Sequence, residues 1–209
     1  MLQGQYSRVL SKWDSQTRYR RKQLLADEQE DNTPEIIYED PRLLVVDKPP
    51  GMLVHANAWD PGAPTCIDSL SGTLQRRVYN VHRLDRGTSG ALLFALDRES
   101  ATELSRRFRE REVTKRYIAV VRGHLEESRT IDTPIRKRNG NSLPALTQVS
   151  PLSWTVIPEP VGPFEEAWFT LVEIDLVTGR RHQARRHLNY IAHPIIGDRE
   201  HGDNRNNRF

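Results

Sequence analysis

Apolar and polar positions change rhythm several times along this 209-residue chain. Two short β-rich runs, Ile36-Ile37-Tyr38 and Leu43-Leu44-Val45-Val46, are split by a turn at Asp40-Pro41, and Lys48-Pro49-Pro50-Gly51 closes the second. Residues 65–74 predict a short helix. The unbroken apolar run 91–96 predicts a strand buried on both faces. Residues 98–112 carry Ala101, Leu104 and Phe108 at helical spacing, with arginines over the remaining surface. Residues 117–121 read as a strand closed by Gly123, and the proline-bearing stretch 130–163 reads as short strands and loops. Alternation over 169–176 turns Val172, Ile174 and Leu176 inward while Glu173 and Asp175 face out. A turn at Thr178-Gly179 leads into a helix over about 181–192, stopped before Pro194, which would set Arg181 and Arg185 on one face. Hairpins outnumber helices and strict strand–helix–strand alternation is absent. The pattern predicts an α+β fold on a mixed, mainly antiparallel sheet with flanking helices.

Texture also divides the chain. Residues 1–34 are polar and charged and read as an N-terminal extension, while 35–209 read as a single domain. Net charge is only +3, so overall basicity says little about partners, but its distribution says more. Residues 1–26 carry six Lys or Arg against one acid, and the last thirty residues hold seven arginines and four of the seven histidines. Local patches of this kind can hold a phosphate backbone despite a small net charge. The single cysteine, Cys66, excludes an intrachain disulfide and a cysteine metal cluster, and reads as a small buried apolar residue. No apolar stretch reaches the length of a membrane span. The expectation is a cytoplasmic protein, with organelle targeting through the basic N-terminus as the minor alternative.

The strongest local signal is His82-Arg83-Leu84-Asp85-Arg86-Gly87-Thr88-Ser89-Gly90, feeding directly into the run 91–96. Arg83 and Arg86 flank one carboxylate and favour its ionised form, which can attack carbon or take a proton. Taken alone, Arg and Asp on a loop equally describe a surface ion pair. A protein-kinase catalytic loop is excluded by the leucine inserted before Asp85 and by the absence of a glycine-rich loop and Asp-Phe-Gly. Two further segments carry chemistry. Lys115-Arg116-Tyr117-Ile118-Ala119-Val120-Val121-Arg122-Gly123 places one tyrosine on a strand. Thr178-Gly179-Arg180-Arg181-His182-Gln183-Ala184-Arg185-Arg186-His187-Leu188 is a basic turn entering a helix.

These three segments, in this order and spacing, resemble the RluA-type pseudouridine synthases from about Ile36 to Phe209. His193-Pro194-Ile195-Ile196-Gly197-Asp198, with His201-Gly202-Asp203 and Asn207-Arg208, is most similar to the TruC-type tRNA enzymes of that family. The resemblance implies a catalytic domain over 35–209 that isomerises uridine in RNA, most similarly to enzymes acting on tRNA at uridine 65. Ribosomal RNA or several RNAs are the alternative, as is an RNA-binding relative of weak activity. It further implies Asp85 as the catalytic carboxylate, Arg185 as its partner, and Tyr117 as the aromatic wall on the target base. Arg83 would help replace the displaced nucleotide, and Arg86, Arg180, Arg181 and Arg186 would contact RNA. No cofactor, no metal, no membrane and no obligate protein partner are expected. Two departures stand out: Ala184 replaces a larger aliphatic residue of the relatives, and the C-terminal end is expected to be shorter than theirs.

Overall fold

A computed structural model describes residues 33–137, 139–158, 160 and 165–202. The basic stretch 1–26, the acidic run after it, and Asp203, Asn207 and Arg208 lie outside the described residues. The chain divides into two compact units, Met1–Ser105 and Arg106–Phe209.

The first unit contains β1 (Glu35–Glu39), β2 (Leu43–Lys48), α1 (Cys66–Leu74), β3 (Tyr79–Asn80) and β4 (Gly90–Ala95). Its antiparallel sheet has the order β1-β2-β4-β3. Leu44 and Val46 of β2 and Leu92 and Phe94 of β4 are completely buried. Each such aliphatic or aromatic side chain contributes about 1.5–3 kcal/mol. Burial on both faces of β4 is only partly realised, because Ala91 is exposed and Leu93 half-buried. Alternation along the pleat wins over the continuous apolar run. Thr65 starts α1 as an N-cap, accepting from the Asp68 backbone N–H at 3.1 Å and donating to the Asp68 carboxylate at 2.6 Å. The boundary between the units falls within α2 (Arg98–Arg109). This helix stops short of the expected residue 112, where Arg111 turns left-handed at φ 65°. Its buried residue is Ser100, held by the Asp97 carboxylate and Arg42, while Ala101, Leu104 and Phe108 are half-buried.

The second unit contains β5 (Arg116–Arg122), β6 (Arg129–Asp132), β7 (Ile135–Arg136), β8 (Ser142–Leu143), β9 (Leu146–Ile157), β10 (Ala167–Leu176) and α3 (Gln183–Tyr190). Its main sheet runs β5-β10-β9-β6, with β7 and β8 as a separate two-stranded ribbon. Val121, Ile131, Val149, Val172, Ile174 and Leu188 form the core, with Tyr117 and Ala184 packed against it. Within the stretch read as short strands and loops, β9 is a twelve-residue strand. Pro151 argues against a strand in the sequence, but the register slips between Leu171 and Val172 of β10, and this irregularity accommodates the proline.

The start of α3 also differs from expectation. His182 is left-handed at φ 54°, so the helix begins at Gln183 and Arg181 lies outside it. Arg181 and Arg185 therefore do not share a helical face. The cause is Gln183, which is 2% exposed. Its carbonyl accepts from Thr178 Oγ1 at 2.7 Å and from the Arg180 N–H at 3.0 Å, fixing the preceding turn. Its amide donates to the Leu146 carbonyl and to Thr147 Oγ1. Thr147 Oγ1 lies 2.9 Å from His187 Nδ1, and His187 Nε2 lies 2.9 Å from the Thr133 carbonyl. A carbonyl only accepts, so Nε2 carries the proton and Nδ1 accepts from the threonine hydroxyl.

Burial pushes the His187 imidazole below its ordinary pKa of 6.5. The unfolded chain then binds a proton at higher pH than the folded one, so this contribution to stability holds above about pH 6.5 and declines as pH falls below it. His187→Gln retains a donor for the Thr133 carbonyl without titrating. Chemical denaturation across acid pH is expected to show a flatter dependence for this variant than for the parent, and an unchanged slope would contradict a neutral buried His187.

Candidate active site

The signature loop joins β3 to β4 in the sheet of the first unit. Leu84 is buried and anchors it, while Arg83 and Arg86 are exposed and Asp85 is half-buried. His82 continues where β3 stops, its Nε2 accepting from the Leu93 N–H of β4 at 3.0 Å. A turn closes directly after the carboxylate, with the Thr88 N–H donating to the Asp85 carbonyl at 3.0 Å. Gly90 takes φ 110° where the loop enters β4, a conformation suited to glycine. Opposite Gly90 in the ladder stands Lys48.

Lys48 is 0% exposed. Its ammonium donates to the carbonyls of Pro49 at 2.7 Å, Met52 at 2.9 Å and Arg86 at 3.2 Å, so all three protons are used. Burial lowers its pKa, opposed by the fields of Cys66 and Asp85. The same Arg86 carbonyl accepts from the Gly51 N–H at 2.7 Å. Arg86 reaches back through Nε to the Gly51 carbonyl at 2.8 Å and through Nη1 to Asp60 at 2.9 Å. Arg86, expected on RNA, thus also braces the loop. The tethered segment displays Trp59, 80% exposed, an aromatic face of the kind on which nucleobases stack.

The run from Lys48 to His55 resembles the opening of the family domain, but that resemblance does not foretell a buried ammonium. Its signal is a lysine closing an apolar strand immediately before Pro-Pro-Gly. Lys48→Met should deprive the Pro49, Met52 and Arg86 carbonyls of the ammonium, the last keeping only the Gly51 N–H, and destabilise the protein by about 3 kcal/mol. Chemical denaturation reads the loss, and a change under about 0.5 kcal/mol would contradict the bracing role.

Tyr117, Arg180, Arg181, Arg185 and Arg186 belong to the second unit. Tyr117 lies on β5 opposite Ile174 of β10, half-buried against the core. Arg185 projects from α3 into a planar fork with Asp198, Nε to Oδ2 at 2.7 Å and Nη2 to Oδ1 at 2.8 Å. Asp198 Oδ1 also accepts the backbone N–H groups of Glu200 and His201, each at 3.0 Å. Burial alone would raise the Asp198 carboxyl, but the Arg185 and backbone hydrogen bonds outweigh it and hold it well below the usual carboxylate range. Arg180 Nε donates to the Pro144 carbonyl and Arg186 Nη1 to the Arg136 carbonyl, both at 3.0 Å. Arg181 is exposed, its Nε 3.4 Å from His182 Nε2.

Among the described residues, His182, Glu200 and His201 bring three potential metal-ligand atoms within 4.8 Å of one another. The two ring nitrogens already hydrogen-bond across 2.9 Å, and Arg185 Nη2 lies 3.4 Å from the Glu200 carboxylate. Hydrogen bonds and a guanidinium thus meet the donors that a metal would need.

The RNA pseudouridylate synthase family profile matches residues 42–190. The chain is 38% identical over 187 residues to tRNA pseudouridine synthase C of Vibrio cholerae, covering 84% of this chain and 77% of that protein. It is 39% identical over 186 residues to the protein of the same name from Yersinia pestis, covering 83% and 72%. Among solved structures it is similar to human RNA pseudouridylate synthase domain containing 1, with a TM-score of 0.67 at 29% identity over 83% of this chain and 71% of that one.

Proposed function

Because the chain belongs to the RNA pseudouridylate synthase family, it is an RNA uridine isomerase, and we propose that its substrate is tRNA, modified at uridine 65. The observation that carries this reading is the 38% identity, over 84% of the chain, to an enzyme named tRNA pseudouridine synthase C. No helix among the described residues is long and apolar enough to cross a membrane. The reading includes action in the cytoplasm, on RNA, without an obligate protein partner.

The reaction breaks the C1′–N1 bond, turns the uracil, and forms C1′–C5. C5 loses a proton and N1 gains one, so no electrons enter or leave. Asp85 is assigned the first step, either adding to C1′ as nucleophile or removing a sugar proton as base. Support comes from the bracing of its loop by Lys48 and Arg86. Such bracing fixes the backbone immediately after the carboxylate before substrate arrives. Tyr117 is assigned to the face of the uracil, a neutral base that an aromatic ring holds well. Arg185 is assigned the balancing of the carboxylate's charge. The base must leave its stack to react, at a cost of about a few kcal/mol, and Arg83 is assigned to the space it vacates. Arg180, Arg181 and Arg186 are assigned to phosphates, which position RNA without reading its sequence.

Chemical derivatisation of pseudouridine after incubation with bulk tRNA and rRNA tests the substrate. Modification confined to tRNA is expected. Modification of rRNA alone would overturn the tRNA assignment, and binding without modification would leave an RNA-binding protein. Asp85→Asn should abolish isomerisation while RNA affinity stays within about threefold, since phosphate contacts dominate binding. Turnover by that variant, after deamidation is excluded, would remove Asp85 from the chemistry. Tyr117→Phe should slow single turnover with affinity retained, and wild-type speed would leave only the stacking role. Arg181→Ala should lower the salt slope of affinity by about one and leave the saturated single-turnover rate nearly unchanged.

A further inference from the structure

The fork between Arg185 and Asp198 sits in a frame that does more than bury an ion pair. Residues 194–196 lie along the edge of β5: Arg122 N–H donates to the Pro194 carbonyl and Ile196 N–H to the Val120 carbonyl, both at 2.9 Å. Val121 and Ile195 form an antiparallel bridge there. His193 Nδ1 lies 2.8 Å from the Arg122 carbonyl, and the His193 N–H donates to the Leu188 carbonyl of α3 at 2.9 Å. The segment therefore ties the strand bearing Tyr117 to the helix bearing Arg185. Gly197 then turns the chain at φ 82°, and Asp198 follows.

The Asp198 side chain is only 4% exposed. Its Oδ1 serves Arg185 Nη2 and two backbone N–H groups, whereas its Oδ2 serves Arg185 Nε. The turn it organises is tight: a Cβ on Gly202 would come within 2.1 Å of the Asp198 carbonyl oxygen, so only glycine fits this path. His182 and His201 join the turn to the start of α3 through the hydrogen bond between their rings. A guanidinium on a flexible stem is thereby gripped along its Nε/Nη2 edge by a carboxylate that the backbone itself immobilises. Planarity then fixes the orientation of the opposite edge.

We propose that Asp198 is a positioning residue for the isomerisation, acting through Arg185 by setting the plane of its guanidinium. This inference rests on the proposed role of Arg185. Asp198 touches no reacting atom in this assignment; it determines where the charge of Arg185 points. Misplacement of such a group by about 1 Å costs about 100-fold in rate.

Asp198→Asn separates this role from folding. The Asn carbonyl can still accept the Glu200 and His201 N–H groups and keep the turn. Its amide would present donors to the donors of Arg185, so the fork opens. The expected result is a single-turnover rate on tRNA lower by about 100-fold, with RNA affinity within about threefold. The double variant with Arg185→Lys should be no slower than Arg185→Lys alone, because both remove one device. Independently of activity, the proton–nitrogen spectrum should show a protected Arg185 Nε–H, identified by its loss in Arg185→Lys and absent in Asp198→Asn. A rate within about twofold of the parent, additive losses in the double variant, or survival of that resonance in Asp198→Asn would overturn the proposal. If the parent protein isomerises no RNA, the functional reading fails by itself and the resonance still decides whether Asp198 sets Arg185. Should Asp198→Asn not fold, Asp198→Glu keeps the anion but displaces the fork, and parental speed in that variant would overturn the proposal.

Discussion

The ammonium of Lys48 is the constraint on which the candidate chemistry of the first unit depends. It is an ion with no exposed surface, a costly arrangement that survives because three carbonyls take its three protons. One of those carbonyls belongs to Arg86, the residue after the carboxylate. Another belongs to Met52, beyond the Pro-Pro-Gly turn. One charge therefore fastens two loops to the end of the β2–β4 ladder, and Arg86 doubles the attachment through Gly51 and Asp60. A rigid backbone around Asp85 is the physical return on burying a lysine.

The second unit solves the same problem with opposite signs. Here a buried carboxylate, Asp198, is satisfied by backbone N–H groups and holds a guanidinium. Around it the neutral network of Thr178, Gln183, Thr147 and His187 satisfies its buried donors and acceptors in sequence, which fixes the entry to α3. In both units a buried charged side chain is fixed in part by main-chain groups. Main-chain partners lose little further entropy once the sheet has formed. That favours fixed geometry over mere charge neutralisation.

Much of this was legible in the residues, and the misses have particular causes. Alternation at Val172 and Ile174 and the short helix read over residues 65–74 rest on local signals, and the corresponding elements stand where the pattern puts them. The long strand β9 was hidden because Pro151 and the polar Ser150, Ser153 and Thr155 suppress the apolar signal, while its buried Thr147 serves a network that no window of sequence contains. Arg181 and Arg185 carry helical spacing, but Gln183 bonds backward to Thr178 and Arg180 and delays the helix. The Asp85, Tyr117 and Arg185 segments could be singled out by motif. Lys48 and Asp198 could not be assigned their work, because Lys48 meets the Arg86 carbonyl, and Asp198 the Arg185 guanidinium, only in the fold.

Isomerisation of uridine to pseudouridine exchanges only protons with solvent. Release of tritium from tRNA whose uridines are tritiated at C5, measured alongside pseudouridine formed in the same sample, tests it most directly. Purified protein is expected to release one C5 hydrogen for every pseudouridine made, without an added electron donor or acceptor. Pseudouridine formation that required such an addition, or the absence of tritium release from any tRNA, would contradict it.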